Sequence, residues 1–189
     1  EIVQLGSPYR LKTIYETNLR TSYMSGKYKS MMDAKESRPY WMYVSVLDNR
    51  TRAAHKALNG LCFRYDDPFW DTMYPPNGWK CRCSVRSLSE KKFLSLKSEG
   101  RAYLQNSKGR LTPVKKILNE KTGETTTVTG FQYAPGRVIA PDAGWNYNVG
   151  KETWEPDLDA YPQELARSYT NLMRGSNEFK KFYEDRSNM

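Results

Sequence analysis

The residues best suited to chemistry in this chain are His55, Cys81 and Cys83, with Cys62 and Asp48 as possible additions. A zinc ion takes about four nitrogen, sulfur or oxygen donors in tetrahedral array, and cysteine pairs that hold one usually have two to four residues between them. Here Arg82 alone separates Cys81 from Cys83, and His55 is the single histidine of the chain. Cys62 or Asp48 would have to complete the set. Such spacing is tight for chelation, and small thiols packed beneath a tryptophan use the same residue types. The spacing therefore favours a structural turn with no cofactor, zinc being the lesser alternative.

The same residues could be read as a catalytic group, with His55 near Asp48 as general base and Cys81 as nucleophile. Their flanks match no known Ser-His-Asp or Cys-His order. We assign no catalytic residue and no small-molecule substrate. A small basic nuclease, working through lysine, arginine and tyrosine, stays open as the enzymatic alternative.

The cysteines close the stretch 70-WDTMYPPNGWKCRCSVRSLS-89, where Pro75, Pro76 and a glycine build a stiff turn between two tryptophans. Ahead of it, residues 8–32 predict a helix with Ser7 as cap and Pro8 in the first turn. Leu11, Ile14, Tyr15, Leu19, Ser22 and Tyr23 form its apolar face, while Lys12, Glu16 and Arg20 form a solvated one. Glu16 and Arg20 stand as an i,i+4 pair. After Arg38-Pro39, 40-YWMYVSVLD-48 reads as a strand. Residues 49–59 read as a short helix opening at Asp48 or Asn49 and stopped by Gly60. Residues 61–65 and 84–88 predict short strands, the first followed by an acidic turn at Asp66-Asp67-Pro68, and Ser89 can cap a helix over 90–97. PVKKIL and TTTVT around NEKTGE predict a β-hairpin over 113–129 that projects as a basic arm. Residues 131–152 are rich in Gly, Pro, Asn and aromatics and predict an irregular wrap. A helix with Leu165, Tyr169 and Leu172 on one face follows from 162, with a break at Gly175 and a second short helix beyond it.

The whole chain, 189 residues with a net charge of +9, fourteen tyrosines and five tryptophans, has enough apolar and aromatic material for a core. Its charge is unevenly placed. Lys80 to Lys121 holds twelve basic residues and three acidic ones, whereas Asp142 to Glu164 holds six acids and one base. A basic strip beside an acidic one suits polyanion on one side and protein on the other. Lys80, Arg86, Lys91, Lys92, Lys108, Arg110, Lys115 and Lys116 are the candidates for contact with DNA phosphates or with a partner protein. No base-reading motif accompanies them, so DNA contact would be sequence-independent. No apolar run approaches the roughly 18 residues of a membrane span. An odd count of three cysteines suits free thiols better than a disulfide framework. A chain that opens on Glu1 is expected of a processed or trimmed product.

Three runs together resemble the Mu F-like phage head morphogenesis proteins. They are 12-KTIYETNLRTSYMSGKYKSM-31, 39-PYWMYVSVLDNRTRAAHKALNG-60 and 65-YDDPFWDTMYPPNGWKCRC-83. Later segments, 144-GWNYNVG-150 and 156-PDLDAYPQELARSY-169 among them, are similar to that family's C-terminal extension. The resemblance implies a minor head protein, a virion component of low copy number that acts at the portal or inner capsid after assembly in the host cytoplasm. Its partners would be portal or other capsid proteins, with packaged DNA as a further contact. Some relatives precede toxin modules, which keeps a nuclease or toxin-associated role as the alternative. Other branches carry a C-x-x-C pair where this chain has Arg52 and His55, and close relatives often carry histidine where it has Met73. Both departures weaken the case for a metal. We expect the proline turn to pin Trp79 and Cys81-Arg82-Cys83 onto the core near His55, with Asp48 and Arg50 as a polar staple.

The expected architecture is α+β, with helices packed on a small, mostly antiparallel sheet. A core domain would occupy 1–98, a basic linker and hairpin arm 99–130, and an irregular C-terminal extension with terminal helices 131–189.

Overall fold

The structure is a computed structural model that describes residues 6–152 and 162–174. The described residues fall into two units, 6–152 and 162–174. The fold is α+β, with helices and two mostly antiparallel sheets.

Helix α1 (Pro8–Asp33) begins as its sequence directs, with the Ser7 side chain accepting from the Arg10 N–H at 3.3 Å and Pro8 in the first turn. Only its C-terminal half is buried, through Met24, Tyr28 and Met31. The apolar stripe of its first half, Leu11, Ile14, Tyr15, Leu19 and Tyr23, stays exposed. Lys12 pairs with Glu16 at 3.8 Å, and Arg20 turns toward the protein instead of joining Glu16 on a solvated face.

The first sheet has strand order β3-β1-β2-β4, from β1 (Tyr40–Val44), β2 (Leu61–Arg64), β3 (Ser84–Leu88) and β4 (Tyr103–Leu104). All its pairings are antiparallel except β2 with β4. Side chains alternate between its faces. On one face Trp41, Tyr43, Phe63 and Val85 join the main core, with Phe69, Trp70, Tyr74 and the buried half of α1. On the other, Cys62 and Leu88 meet Phe93 and Leu96 of α4 (Glu90–Ser98), with Tyr40 and Met42 packed alongside. Tyr40 stacks on Phe93 at 4.5 Å between ring centres.

Two short helices interrupt this sheet. The helix expected over 49–59 shrinks to α2 (Ala53–Ala57), because the Asp48 carboxylate is engaged elsewhere and Thr51 bonds back to the Val46 carbonyl. The same turn ends β1 at Val44, four residues short of the sequence-based strand. Helix α3 (Phe69–Met73) replaces plain turn structure after Asp67-Pro68. Asp67 Oδ1 accepts from the Phe69 N–H at 2.9 Å. Asp-Pro ahead of an aromatic run was the available signal for that helix start.

The second sheet is a meander, β5 (Leu111–Asn119), β6 (Glu124–Ala134) and β7 (Arg137–Ile139). Its tip is exposed, but Phe131 reaches the main core, 5.4 Å from the Phe63 ring and 5.0 Å from Phe69. The hairpin is thus rooted in the core and not only an arm. Residues 131–139, expected to be irregular, continue the sheet instead. Pro135-Gly136 makes a two-residue turn between the paired Ala134 and Arg137, with Gly136 at φ 69°. Only 140–152 wraps irregularly, burying Trp145, Asn148 and Val149.

Helix α5 (Gln163–Arg174) matches the expected C-terminal helix. The break at Gly175 and the second helix lie outside the described residues. Among the described residues no helix is long and apolar enough to cross a membrane.

The rooted hairpin makes a prediction. Phe131→Ala should destabilise the protein by about 3–5 kcal/mol in urea unfolding, as for other buried aromatics. Ile117→Ala, near the tip and 61% exposed, should change stability by less than about 0.5 kcal/mol. Equal small effects would show that the hairpin stands apart from the core.

Candidate functional site

The turn 74–83 is built against the main core. Tyr74 is fully buried and donates its hydroxyl to the Met24 carbonyl at 3.0 Å. Pro75-Pro76 is a cis peptide. Asn77 is buried and donates from Nδ2 to the Tyr43 hydroxyl at 3.0 Å and the Met73 carbonyl at 3.1 Å. A Cβ at Gly78 would meet the Asp142 carboxylate and Arg52 Nη1, so a side chain there would have to displace those two groups. Those two groups pair with each other at 3.2 Å across the turn. Lys80 adopts a left-handed φ of 57°, and its ammonium donates to the Tyr9 hydroxyl at 2.6 Å.

From there the chain sends alternate side chains to opposite sides. Cys81 and Cys83 turn inward while Arg82 turns outward. His55 Nδ1 lies 3.4 Å from Cys83 Sγ and 3.7 Å from Cys81 Sγ. All three side chains are buried, at 6%, 7% and 2% exposure for His55, Cys81 and Cys83. Among the described residues this is the one gathering of three or more His, Cys and carboxylate donors, its ligand atoms within 4.8 Å of one another. Neither Cys62 nor Asp48 belongs to it. Cys62 lies on the other face of the sheet, and burial there pushes its thiol up to about 12.

The surroundings push the two thiols in opposite directions. The largest influence lowering the Cys83 pKa is a hydrogen bond from the Cys81 thiol. Burial opposes it, and His55 and the Tyr43 hydroxyl add to it. Cys81 is correspondingly pushed up, through Cys83 and through burial. Backbone N–H groups of Asn77 and Cys83 also point at the Cys81 sulfur.

Arg82 supplies the polar staple. Its Nη1 meets Asp48 Oδ2 at 2.8 Å and its Nη2 meets Asp48 Oδ1 at 2.6 Å, a two-pronged charge-assisted pair. Thr51 Oγ1 sits 3.1 Å from Asp48 Oδ1 and 3.3 Å from Arg82 Nη2. Sequence reasoning expected Arg50 as the partner of Asp48. Its side chain is exposed and reaches Asp48 only at 3.7 Å, while its backbone N–H donates to Oδ1 at 3.1 Å. Asp48 is therefore committed to Arg82 and Thr51, and the Asp48–His55 pair that a general base would need is not assembled.

Trp79 also differs from expectation. It is 52% exposed and meets Trp145 edge-on at 5.4 Å instead of sitting under the core. Its backbone carbonyl, rather than its ring, is held, by Arg52 Nη2 at 3.1 Å.

Arg20 was missed altogether. From α1 its Nη2 donates to the Arg82 carbonyl at 3.0 Å and to the Cys83 carbonyl. Helical periodicity placed it on a solvated face, and no local signal distinguishes it there. The basic candidates are dispersed. Arg86, Lys91, Lys92, Lys108 and Lys115 are exposed and Lys116 is half-buried, across β3, α4, the 105–110 loop and β5. Arg110 faces inward, with Nε on the Gln132 carbonyl at 2.8 Å and its guanidinium over the Phe131 ring at 4.6 Å. It is engaged in the fold and not free for phosphate.

The staple has a pH signature. The Arg82 guanidinium, foremost, holds the Asp48 carboxyl well below the usual carboxylate range; burial opposes this, and Thr51 and the Arg50 N–H reinforce it. A depressed folded pKa stabilises above the unfolded value near 4 and is lost as pH falls through the lower folded value. The urea midpoint should therefore drop as pH falls below about 4. Asp48→Asn should be less stable than wild type at pH 7 and lose less over the acid window. An Asp48→Asn variant with the wild-type acid dependence would refute this role.

Comparison with known proteins completes the picture. The family described as phage Mu protein F-like matches residues 1–86, which run from α1 past Cys83. The chain is 44% identical over 158 residues to the "Putative capsid assembly protein F" of Escherichia phage Mu, covering 82% of this chain and 35% of that protein. It is also 44% identical over 160 residues to the Mu-like prophage FluMu F protein of Haemophilus influenzae, covering 82% of this chain and 37% of that protein. The chain thus spans little more than a third of the length of these curated relatives. No solved structure matches it. The helix, staple and Cys-Arg-Cys turn described above fall within the matched residues, and over these residues the chain is similar to the phage Mu F-like family.

Proposed function

We propose that this protein is a structural component of a phage head. It acts in head assembly by binding portal or other capsid proteins, and it resides in the virion after assembly in the host cytoplasm. The observation that carries this reading is its 44% identity, over most of its length, to a relative named for capsid assembly. The fold adds a surface suited to the task. Leu11, Ile14, Tyr15, Leu19 and Tyr23 are exposed along the first half of α1, and a contiguous apolar stripe on a helix is the kind of face that a partner protein covers. An enzymatic reading gains less support, because Asp48, the acid that the sequence would pair with His55, is committed to Arg82.

A second contact, with packaged DNA, is favoured by the surplus of positive charge between Lys80 and Lys121 and by the exposure of Lys91, Lys92, Lys108 and Lys115. Dispersed lysines of this kind neutralise phosphates without reading bases.

Two measurements test these readings. Leu11→Glu with Leu19→Glu should leave folding intact, since both side chains are exposed, and should cut incorporation into phage heads, or co-purification with portal protein, by roughly tenfold or more. Undiminished incorporation would rule out this face as the docking surface. Duplex DNA of any sequence should bind with an affinity that falls steeply as salt rises. Salt-independent or absent binding would remove DNA from the partners. Cleavage of RNA or DNA lost on replacing His55 would favour the nuclease alternative instead.

A further inference from the structure

His55 comes from α2, while Cys81 and Cys83 come from the segment that enters β3, so three separated side chains converge on one buried point. Their separations match what a metal ion would impose. With Zn–S near 2.3 Å and Zn–N near 2.1 Å, tetrahedral geometry sets sulfur and nitrogen about 3.6 Å apart. The observed separations are 3.4 and 3.7 Å. The single-residue spacing, which looked tight in the sequence, is what an extended segment needs to turn two sulfurs to the same side.

The groups around the sulfurs point the same way. N–H groups of Asn77 and Cys83 aim at Cys81, and the Tyr43 hydroxyl aims at Cys83. Tyr43 is itself held by Asn77 Nδ2 at 3.0 Å. Such outer contacts orient metal ligands in known sites. A route for the ion exists too. His55, Cys81 and Cys83 line a cleft of about 340 Å³ together with Arg50, Arg52 and Lys80.

We infer that His55, Cys81 and Cys83 bind one zinc ion through Nδ1 and two thiolate sulfurs, with the fourth position taken by water from that cleft. Two sulfurs and one imidazole are the donor set that selects zinc over harder cations. Each thiol releases its proton to solvent on binding. The ion ties α2 to the Cys-Arg-Cys segment from the inside, while Arg82 and Asp48 tie the same elements from the outside.

The test is elemental analysis of the whole protein, purified in reducing buffer without added metal, together with cobalt substitution. The expected result is about one zinc per chain and, after exchange, the sulfur-to-cobalt charge-transfer absorption of a thiolate site. The double variant Cys81→Ser, Cys83→Ser should lose the metal, and Cys62→Ser, on the other face of the sheet, should keep it. Because the double variant could fail to fold, Tyr43→Phe provides a gentler probe, with zinc affinity expected to fall roughly 10–100-fold. Folded wild-type protein with three titratable thiols, no zinc and no cobalt charge-transfer band would overturn the inference. So would zinc retained at full stoichiometry in the double serine variant.

Discussion

An extended chain must turn consecutive side chains to opposite sides, and much of this structure follows from that constraint at Cys81-Arg82-Cys83. Two small thiols face inward and are almost fully buried. The residue between them must face outward, and a guanidinium there can meet a carboxylate in two parallel hydrogen bonds. Asp48 supplies the carboxylate from the loop between β1 and α2, so that loop is drawn to the segment before β3. The same strand pair that carries Trp41 and Val85 is thereby closed at one end by charge and at the other by packing. Arg20 fixes the third side, donating from α1 to the backbone carbonyls of Arg82 and Cys83. Replacing Arg82 with lysine would keep the charge but lose the fork, so the two are not equivalent at this position.

The main core explains why the turn can be so polar. Trp41, Phe63, Phe69, Trp70 and Tyr74 pack edge to face or tilted at centroid distances of 5.0 to 6.3 Å, apart from the stacked Phe63–Phe69 pair at 3.9 Å. Rings in this arrangement bury large area while keeping a few polar ends for specific use. Trp70 donates to the Arg64 carbonyl, Tyr74 to that of Met24, and Tyr43 faces Asn77 and Cys83. The aromatic core thus ends in a hydrogen-bonded layer that meets the proline turn.

How much of this the chain announces differs by element. The start of α1, the strand character of β1 and the basic hairpin were legible because each rests on local signals, namely a cap, β-prone residues and a turn glycine. The interactions that assemble the site were not. Arg50 and Arg82 are equally plausible partners for Asp48 by composition, and only the direction of the chain after Gly78 decides between them. Trp79 looked like an anchor by its type, yet the left-handed turn at Lys80 leaves its ring against Trp145 at the surface. The convergence of His55 with both cysteines needed α2 and the proline turn placed together. Spacing along the sequence cannot report that.

These constraints also shape how the protein could serve in an assembly. Helix α1 is 26 residues, about 39 Å long. Its second half is gripped by Met24, Tyr28 and Met31 in the core, and its middle is clamped by Arg20 on the Cys-Arg-Cys backbone. Lys80 reaches Tyr9 in the first turn, 71 residues away in sequence. The apolar stripe between these points is therefore held out on a helix that is fixed on its other side. A partner that binds there meets a surface already ordered, so little conformational entropy opposes docking. Under the proposed assembly role, the staple at Asp48 and Arg82 bears on docking by securing the segment against which Arg20 and Lys80 brace the helix.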